Sequence, residues 1–254
     1  MVSHQLRPLM LARETGPVQM TARWVVGHDV GHHVLLCEGQ VVFDKGRITF
    51  VGHGYDGEVA RRIDCGNAII SPGFVDLDAL SDIDTTVLGF DNQPAWKKGR
   101  IWPEDYLRNG PREMYSPDEI AWQKRYAFTR LIRNGITTAL PISSLFYREW
   151  GETWDEFDSA ATAAQDLGLR VYLGPAYRTG NTFVRADGAI EFHFEEERGL
   201  DGLEQAKRFC ATYEGRSDGL IRTMLAPDRI ETCTPDLLRR TAEAVVDLDV
   251  PVRL

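Results

Sequence analysis

The sequence lacks a long apolar run, a basic cluster and a paired-cysteine motif, and each absence removes a class of function. No stretch approaches the ~18 apolar residues of a membrane span, and the start, "MVSHQLRPLMLARETGP", has no apolar core of signal-peptide length. A cytoplasmic protein with no membrane partner is expected. Lys and Arg gather only in short pairs such as Lys97-Lys98 and Arg239-Arg240, and the formal net charge is -9, so no nucleic-acid partner is expected. Cys37, Cys65, Cys210 and Cys233 are widely spaced with no Cys-x-x-Cys pair, which supports neither a zinc knuckle nor a disulfide scaffold. They are expected to be reduced core residues.

What is present is enough apolar sequence, 43% of the chain, to bury one large core or two smaller ones. Residues 19–66 are β-like, with runs of β-branched and aromatic residues such as "VQMTARWVV" and "HHVLLCEGQVVFDKGRITFVGHG" broken by glycine, and residues 1–66 are expected to form a small β domain; Lys45-Gly46 sits where a hairpin turn belongs. From residue 67 to 254 strands and helices alternate, which argues for a parallel sheet with helical crossovers. The first strand is read as "AIISPGFVDLD". Ser116-Pro117-Asp118-Glu119 predicts a capped helix start, because Ser caps, Pro suits the first helical position and Glu119 closes a capping box. That helix stops at Gly135. Strand "ITTALPI", helix "WDEFDSAATAAQDL" closed by Gly168, strand "RVYLGPAY", helix "LDGLEQAKRFCATYE" closed by Gly215 and strand "IRTMLAP" follow. Thr234-Pro235-Asp236 opens a fourth helix, and "VPVRL" reads as a fifth strand.

A complete (β/α)8 barrel typically needs ~250 residues, more than follow Gly66. An open doubly wound sheet would meet a glycine-rich phosphate turn after its first strand, and "DLDALSDID" has no glycine. The expected fold class is therefore α/β: a partial (β/α)8 TIM-like barrel of about five strands, cut in mid-fold, preceded by a small β-sandwich-like domain.

Three stretches carry a family resemblance. "VVFDKGRITFVGHG", "ISPGFVDLD" and "LAPDRIETCTPDLLRRTAEAVVDLDVPVRL" make the chain resemble the amidohydrolase superfamily, in particular its cytosine deaminase and chlorohydrolase-like branch, over nearly everything from about residue 20. The resemblance implies a divalent metal, zinc first, bound partly by a His-x-His pair that ends the first barrel strand. Those positions are Asp78 and Leu80 here. Leucine ligates nothing, and a lone carboxylate is a harder, weaker zinc ligand than imidazole. The remaining family ligands would lie past Leu254, so tight zinc binding by this chain alone is not expected. A fourth strand that often ends Ala-Pro-His in the deaminase-like branch ends Ala226-Pro227-Asp228.

Asp78 is thus the candidate catalytic residue and candidate metal ligand, since carboxyl ends of barrel strands are where catalytic groups sit. Asp76 reads as a cap on nearby backbone amides, Asp82 and Asp84 as solvated loop acids, and His193 as part of the charged run "IEFHFEEE". Tyr177, Arg178 and Asp228 are the candidate substrate-binding residues; Arg178 offers a fixed cationic fork, or else pairs with a surface acid. The aromatic-rich loop from Phe90 to Tyr115 would close over a substrate or pack on a neighbouring subunit, so a homo-oligomer is one expectation. The resemblance implies a hydrolase of carbon–nitrogen bonds, other than peptide bonds, in a small cyclic or amidine-like substrate. The competing reading is a catalytically inactive barrel kept for binding or oligomerisation, and the missing His-x-His supports it.

Overall fold

The computed structural model of the chain describes residues 16–80, 102–104, 115–142 and 151–254. Asp82, Asp84 and most of the 90–115 loop lie outside the described residues. The chain divides between Pro72 and Gly73 into two units. The division falls later than Gly66 because "AIISPGFVDLD" is not one strand: Ile69–Ile70 pairs with the first strand of the chain, and only Phe74–Leu80 joins the second unit's sheet.

The first unit consists of β1 (Val18–Asp29), β2 (His32–Asp44), β3 (Arg47–Gly52), β4 (Arg61–Asp64) and β5 (Ile69–Ile70). Its described residues form one five-stranded sheet in the order β3-β2-β1-β4, with β5 also on β1. Strands β1 to β3 run antiparallel, while β4 and β5 lie parallel to β1. Lys45 and Gly46 both take positive φ, 47° and 75°, the backbone of a two-residue mirror-image turn whose twist matches its flanking strands. Ala22, Val25 and Val41 form the buried centre. Cys65 is half-buried and Cys37 is exposed, so the expectation of four core cysteines holds only for Cys210 and Cys233 of the second unit.

The second unit contains β6 (Phe74–Leu80), β7 (Trp102–Pro103), α1 (Pro117–Arg133), β8 (Ile136–Ile142), α2 (Trp154–Leu167), β9 (Arg170–Leu173), β10 (Ala176–Tyr177), β11 (Gly180–Val184), β12 (Ile190–Phe194), α3 (Glu196–Tyr213), β13 (Ile221–Thr223), β14 (Ala226–Pro227) and α4 (Pro235–Leu248). This is an α/β fold. A parallel sheet runs β13-β9-β8-β6, and β10 pairs in parallel with β14. Val252 bridges Leu225, so the "VPVRL" segment lies beside the β13–β14 chain as the next parallel neighbour.

Local signals set the helix ends. Ser116 and Glu119 make a reciprocal capping box, with Ser116 N donating to Glu119 Oε2 at 2.8 Å and Glu119 N to Ser116 Oγ at 3.4 Å. Thr234 caps α4 by accepting from Leu237 N, and Pro235 takes the first turn, where no intrahelical N–H is needed. Gly168 ends α2 at φ 73°, the left-handed conformation that an added Cβ would penalise. Two strands break in the middle. At Gly174 a Cβ would come within 2.2 Å of Met224 O, so the absence of a side chain is what lets these backbones approach. Phe128, Ala139, Phe157, Ala164, Val171 and Leu173 fill one helix-facing core; Tyr177, Leu203, Leu225, Leu237 and Val250 fill a second. Among the described residues no helix is long and apolar enough to cross a membrane.

Candidate functional site

In a parallel sheet covered by helices the crevice outside the carboxyl ends of the strands collects ligand-binding side chains. Five charged residues lie toward those ends: Asp78 late in β6, Glu152 before α2, Arg178 after β10, Asp228 after β14, and Arg253 in the segment that bridges Leu225. Alternation along the strands orients them. Ala79 packs in the helix-facing core, and the β6–β8 register shifts between Asp76 and Ala79, the irregular stretch that contains Asp78. Leu225 packs between α3 and α4, and its bridge partner Val252 shares that face, which turns Arg253 to the inner side of the sheet. Backbone bonds fix this register: Leu225 N donates to Pro251 O at 3.0 Å, and Arg253 N to Leu225 O at 2.9 Å.

Asp78 is exposed, and its backbone N–H donates to Asp76 Oδ1 at 3.1 Å. Asp76 thus serves the backbone. Arg178 and Asp228 form a pair, Arg178 Nη1 donating to Asp228 Oδ2 at 3.1 Å with side chains 4% and 17% exposed. The same oxygen accepts from Thr232 Oγ1 at 3.1 Å, and Asp228 N donates to Tyr177 O at 2.9 Å. Of the two readings open for Arg178, pairing with an acid is what is seen, but the acid is Asp228 and the pair is largely buried. Tyr177 differs from expectation. Its hydroxyl, expected to meet a substrate, lies instead in the helix-facing core at 2.9 Å from Thr241 Oγ1, and burial pushes its pKa up. Odd and even residues point to opposite faces of a strand, so Tyr177 and Arg178 do not share a side.

Two members of the group were not legible in the sequence. Glu152 is buried: its N–H donates to Ala176 O at 3.0 Å, and its Oε2 accepts from Ala176 N at 2.8 Å, closing a reciprocal clasp on β10. A cavity of about 280 Å³ opens beside this clasp, lined by Gly151, Glu152, Trp154, Ala176, Arg198 and Asp201. Arg253 is the other. Burial lowers its affinity for its proton, and the charges of Glu152, Asp78 and Asp228 oppose that shift, so all three acids lie in its field. Its Nη1 is buried without a hydrogen-bond partner. The only available signal was parity with Asp228 across a strand pair, which needs the register to be known.

His193, expected as part of a charged run, sits on the antiparallel β11–β12 hairpin; its Nε2 lies 2.9 Å from Glu195 Oε1. Gly180 makes that hairpin possible, since a Cβ there would fall 2.4 Å from the Phe194 ring. Among the described residues no three His, Cys, Asp or Glu side chains are grouped to hold a metal ion. The donor set at the strand ends is all carboxylate, it already carries two guanidinium groups, and leucine replaces the second ligand of the first strand. These residues do not fit a zinc site.

No protein-family model matches the chain. It is 31% identical over 180 residues to a 5-methylthioadenosine/S-adenosylhomocysteine deaminase of Halothermothrix orenii, covering 70% of this chain and 33% of that protein. It is 26% identical over 211 residues to a 5'-deoxyadenosine deaminase of Methanosarcina barkeri, covering 82% and 41%. Among solved structures, an atrazine chlorohydrolase from Arthrobacter aurescens complexed with zinc aligns at TM-score 0.66 and 21% identity, over 92% of this chain and 52% of that one. A guanine deaminase from C. acetobutylicum with bound guanine aligns at TM-score 0.63 and 17% identity, which shows a shared fold. The chain spans less than half the length of these curated relatives. With three sequence segments, a shared fold and significant similarity to its deaminases, the chain belongs to the amidohydrolase superfamily.

Proposed function

We propose that the chain contributes five strands of a (β/α)8 barrel, with the first unit as part of a small β-sandwich, to a cytoplasmic hydrolase. The hydrolase acts on carbon–nitrogen bonds of a small cyclic or amidine-like substrate. What supports this reading is the placement of Asp78 late in the parallel strand β6 and of the Arg178–Asp228 pair directly after the parallel strands β10 and β14. In the reaction, water adds to the electrophilic ring carbon that bears nitrogen, the C–N bond breaks, and the nitrogen leaves as ammonia or an amine. Asp78 takes the water proton and returns it to the leaving nitrogen, the work of a positioned general base and acid. Arg178 and Asp228, held together, line the substrate's side of the crevice, and Tyr177 positions Asp228 through its carbonyl oxygen. A divalent metal, zinc in the solved chlorohydrolase, enters only as far as Asp78 supplies one first-strand donor; the other donors would have to come from outside the described residues.

The test is ammonia release from a panel of aminated purines and 5'-substituted adenosines, the compound types named for the relatives, with Asp78→Asn as control. Turnover of at least one substrate that drops ~10²-fold or more in Asp78→Asn supports the reading. Turnover indifferent to that change overturns it. The second reading, an inactive barrel serving binding or oligomerisation, is favoured by leucine at position 80 and predicts ligand binding with no turnover across the panel.

A further inference from the structure

We propose that the outer edge of the β11–β12 hairpin is a self-association surface, on which β12 of one copy pairs antiparallel with β12 of a second copy about a two-fold axis at Phe192. In the sheet β12-β11-β7, β12 is an edge, and among the described residues no strand or bridge meets its outer side. Two bonds fix which of its backbone groups face outward. Arg185 N donates to Ala189 O at 2.9 Å and Glu195 N to Thr179 O at 2.8 Å, so in the alternating ladder the odd-numbered residues of this segment bond to β11. The N–H and C=O groups of Ile190, Phe192 and Phe194 therefore point away from it. Their side chains share one face and are 58%, 48% and 46% exposed, with the two phenyl rings stacked at 6.1 Å between centroids. An apolar, unpaired edge of this kind is a template for another strand.

What selects a second copy of the chain is the order of side chains in Ile190-Glu191-Phe192-His193-Phe194. A two-fold contact requires that residue i meets j and j meets i. With Phe192 on the axis, Phe192 meets its own counterpart, Ile190 meets Phe194, and Glu191 meets His193. Apolar groups then fall only on apolar groups, an acid falls on an imidazole, and the outward backbone groups of the three even-numbered residues are all bonded. On the polar face Arg185 Nη1 donates to Glu191 Oε1 at 2.8 Å and His193 Nε2 lies 2.9 Å from Glu195 Oε1, so each copy brings alternating acidic and basic groups to the contact. Neighbouring registers are worse. An axis at Glu191 sets that carboxylate against itself, and an axis at His193 sets Glu191 against Glu195; like charges directly opposite destabilise a strand pair. An axis midway between two residues brings polar side chains onto the apolar face. Five residues a side are well below the ~20–30 of a stable interface, so the dimer is weak, with Kd on the order of 10–100 µM.

Sedimentation velocity of the 254-residue chain over about 1 to 300 µM tests this. Wild type is expected to pass from monomer to dimer, Phe192→Glu to stay monomeric throughout, and His193→Glu to weaken the dimer about 5-fold by setting an acid against Glu191 in both symmetric pairs. His193→Lys, which also loses the imidazole, should hold or tighten it. A wild type that stays monomeric, a dimer that Phe192→Glu leaves intact, or equal constants for His193→Glu and His193→Lys overturns the proposal. Should Phe192→Glu give no cooperative melt, oxidative crosslinking in a Cys37→Ser background decides. Phe192→Cys should then link to itself, whereas Ile190→Cys should not, because the two copies of residue 190 lie about 14 Å apart across the axis, too far for a disulfide. Any other pattern overturns the proposal. Ammonia release plays no part in these readouts, so the hydrolase reading and this surface stand or fall separately.

Discussion

Lys124 Nζ lies 2.8 Å from Glu156 Oε1 where α1 packs on α2, and each side chain is 1% exposed. Lys124 occupies the buried stripe of α1 between Ile120 and Phe128, and Glu156 precedes Phe157 in the first turn of α2. A buried pair of this kind stabilises little overall, because desolvating two ions offsets most of their attraction. Breaking it is another matter, since the survivor stays buried and charged.

Lys124→Met alone is therefore expected to destabilise the protein by about 3–5 kcal/mol, and the Lys124→Met, Glu156→Leu double change to recover most of that loss. Urea unfolding of the three variants measures it. Single and double variants with equal midpoints would show that the two charges are not coupled.

Asp76 and Asp78, two residues apart, should respond differently to the same amide substitution. Asp76→Asn retains an oxygen that can accept the Asp78 N–H, so its melting temperature should stay close to wild type. Asp76→Ala removes the acceptor and should cost about 1 kcal/mol. Asp78→Asn should leave stability nearly unchanged and act on turnover, because its exposed carboxylate makes no comparable structural bond. Melting curves and kcat/KM for the three variants separate the roles. If Asp78→Asn unfolds the protein, the position is structural and the inactive-barrel reading gains.

Much of the fold was legible where the determinants are local. The Ser116–Glu119 box, Thr234-Pro235, Gly168 and Lys45-Gly46 each act within a few residues, and all are found as the sequence indicates. Pairing that spans the chain was not legible. Ile69–Ile70 looks continuous with the next strand, yet its backbone partner is β1, more than forty residues earlier. The β11–β12 hairpin did leave a mark, alternating Ile190, Phe192 and Phe194 after an Asp187-Gly188 turn, and it was masked by the acids that follow. The site was half visible. Asp78 lies late in a strand and Arg178 and Asp228 follow strand ends, whereas Glu152 and Arg253 matter only once register brings them beside β10 and β14, and Lys124 shows itself only as a cation on an apolar helical stripe.

Thiol labelling should resolve two classes of cysteine. Cys37 is exposed and Cys65 half-buried, while Cys210 and Cys233 are buried and burial pushes both thiols up, away from the reactive thiolate. In native buffer a thiol reagent is expected to modify Cys37 within minutes and Cys65 more slowly, with Cys210 and Cys233 reacting only in denaturant. Peptide mapping after timed quenching assigns the sites. Rapid native labelling of Cys210 would mean that α3 opens locally, since that thiol lies on the helix's buried face.

Alkaline pH should unfold this protein through its buried phenols. Tyr213 stacks on Phe209, donates its hydroxyl to Asp158, and has its pKa pushed up to about 12, first by burial and then by the Asp158 bond and charge; Tyr177 is pushed up as well, mainly by burial. Neutral phenol is thus favoured in the folded state, while an unfolded tyrosine ionises near pH 10. Between about pH 10 and 12 the unfolded chain holds fewer protons than the folded one, so stability falls as pH rises, and below about pH 9 these tyrosines give no slope. Cys210 and Cys233 act in the same direction from a somewhat lower pH, because their thiols are also raised by burial. The expected result is a melting temperature that declines steadily above about pH 9.5, with phenolate absorbance of the buried tyrosines appearing only as the protein unfolds. Tyr213→Phe should weaken the pH dependence while lowering stability at neutral pH through loss of the Asp158 bond. A melting temperature that holds level from pH 8 to 11 would sink the argument.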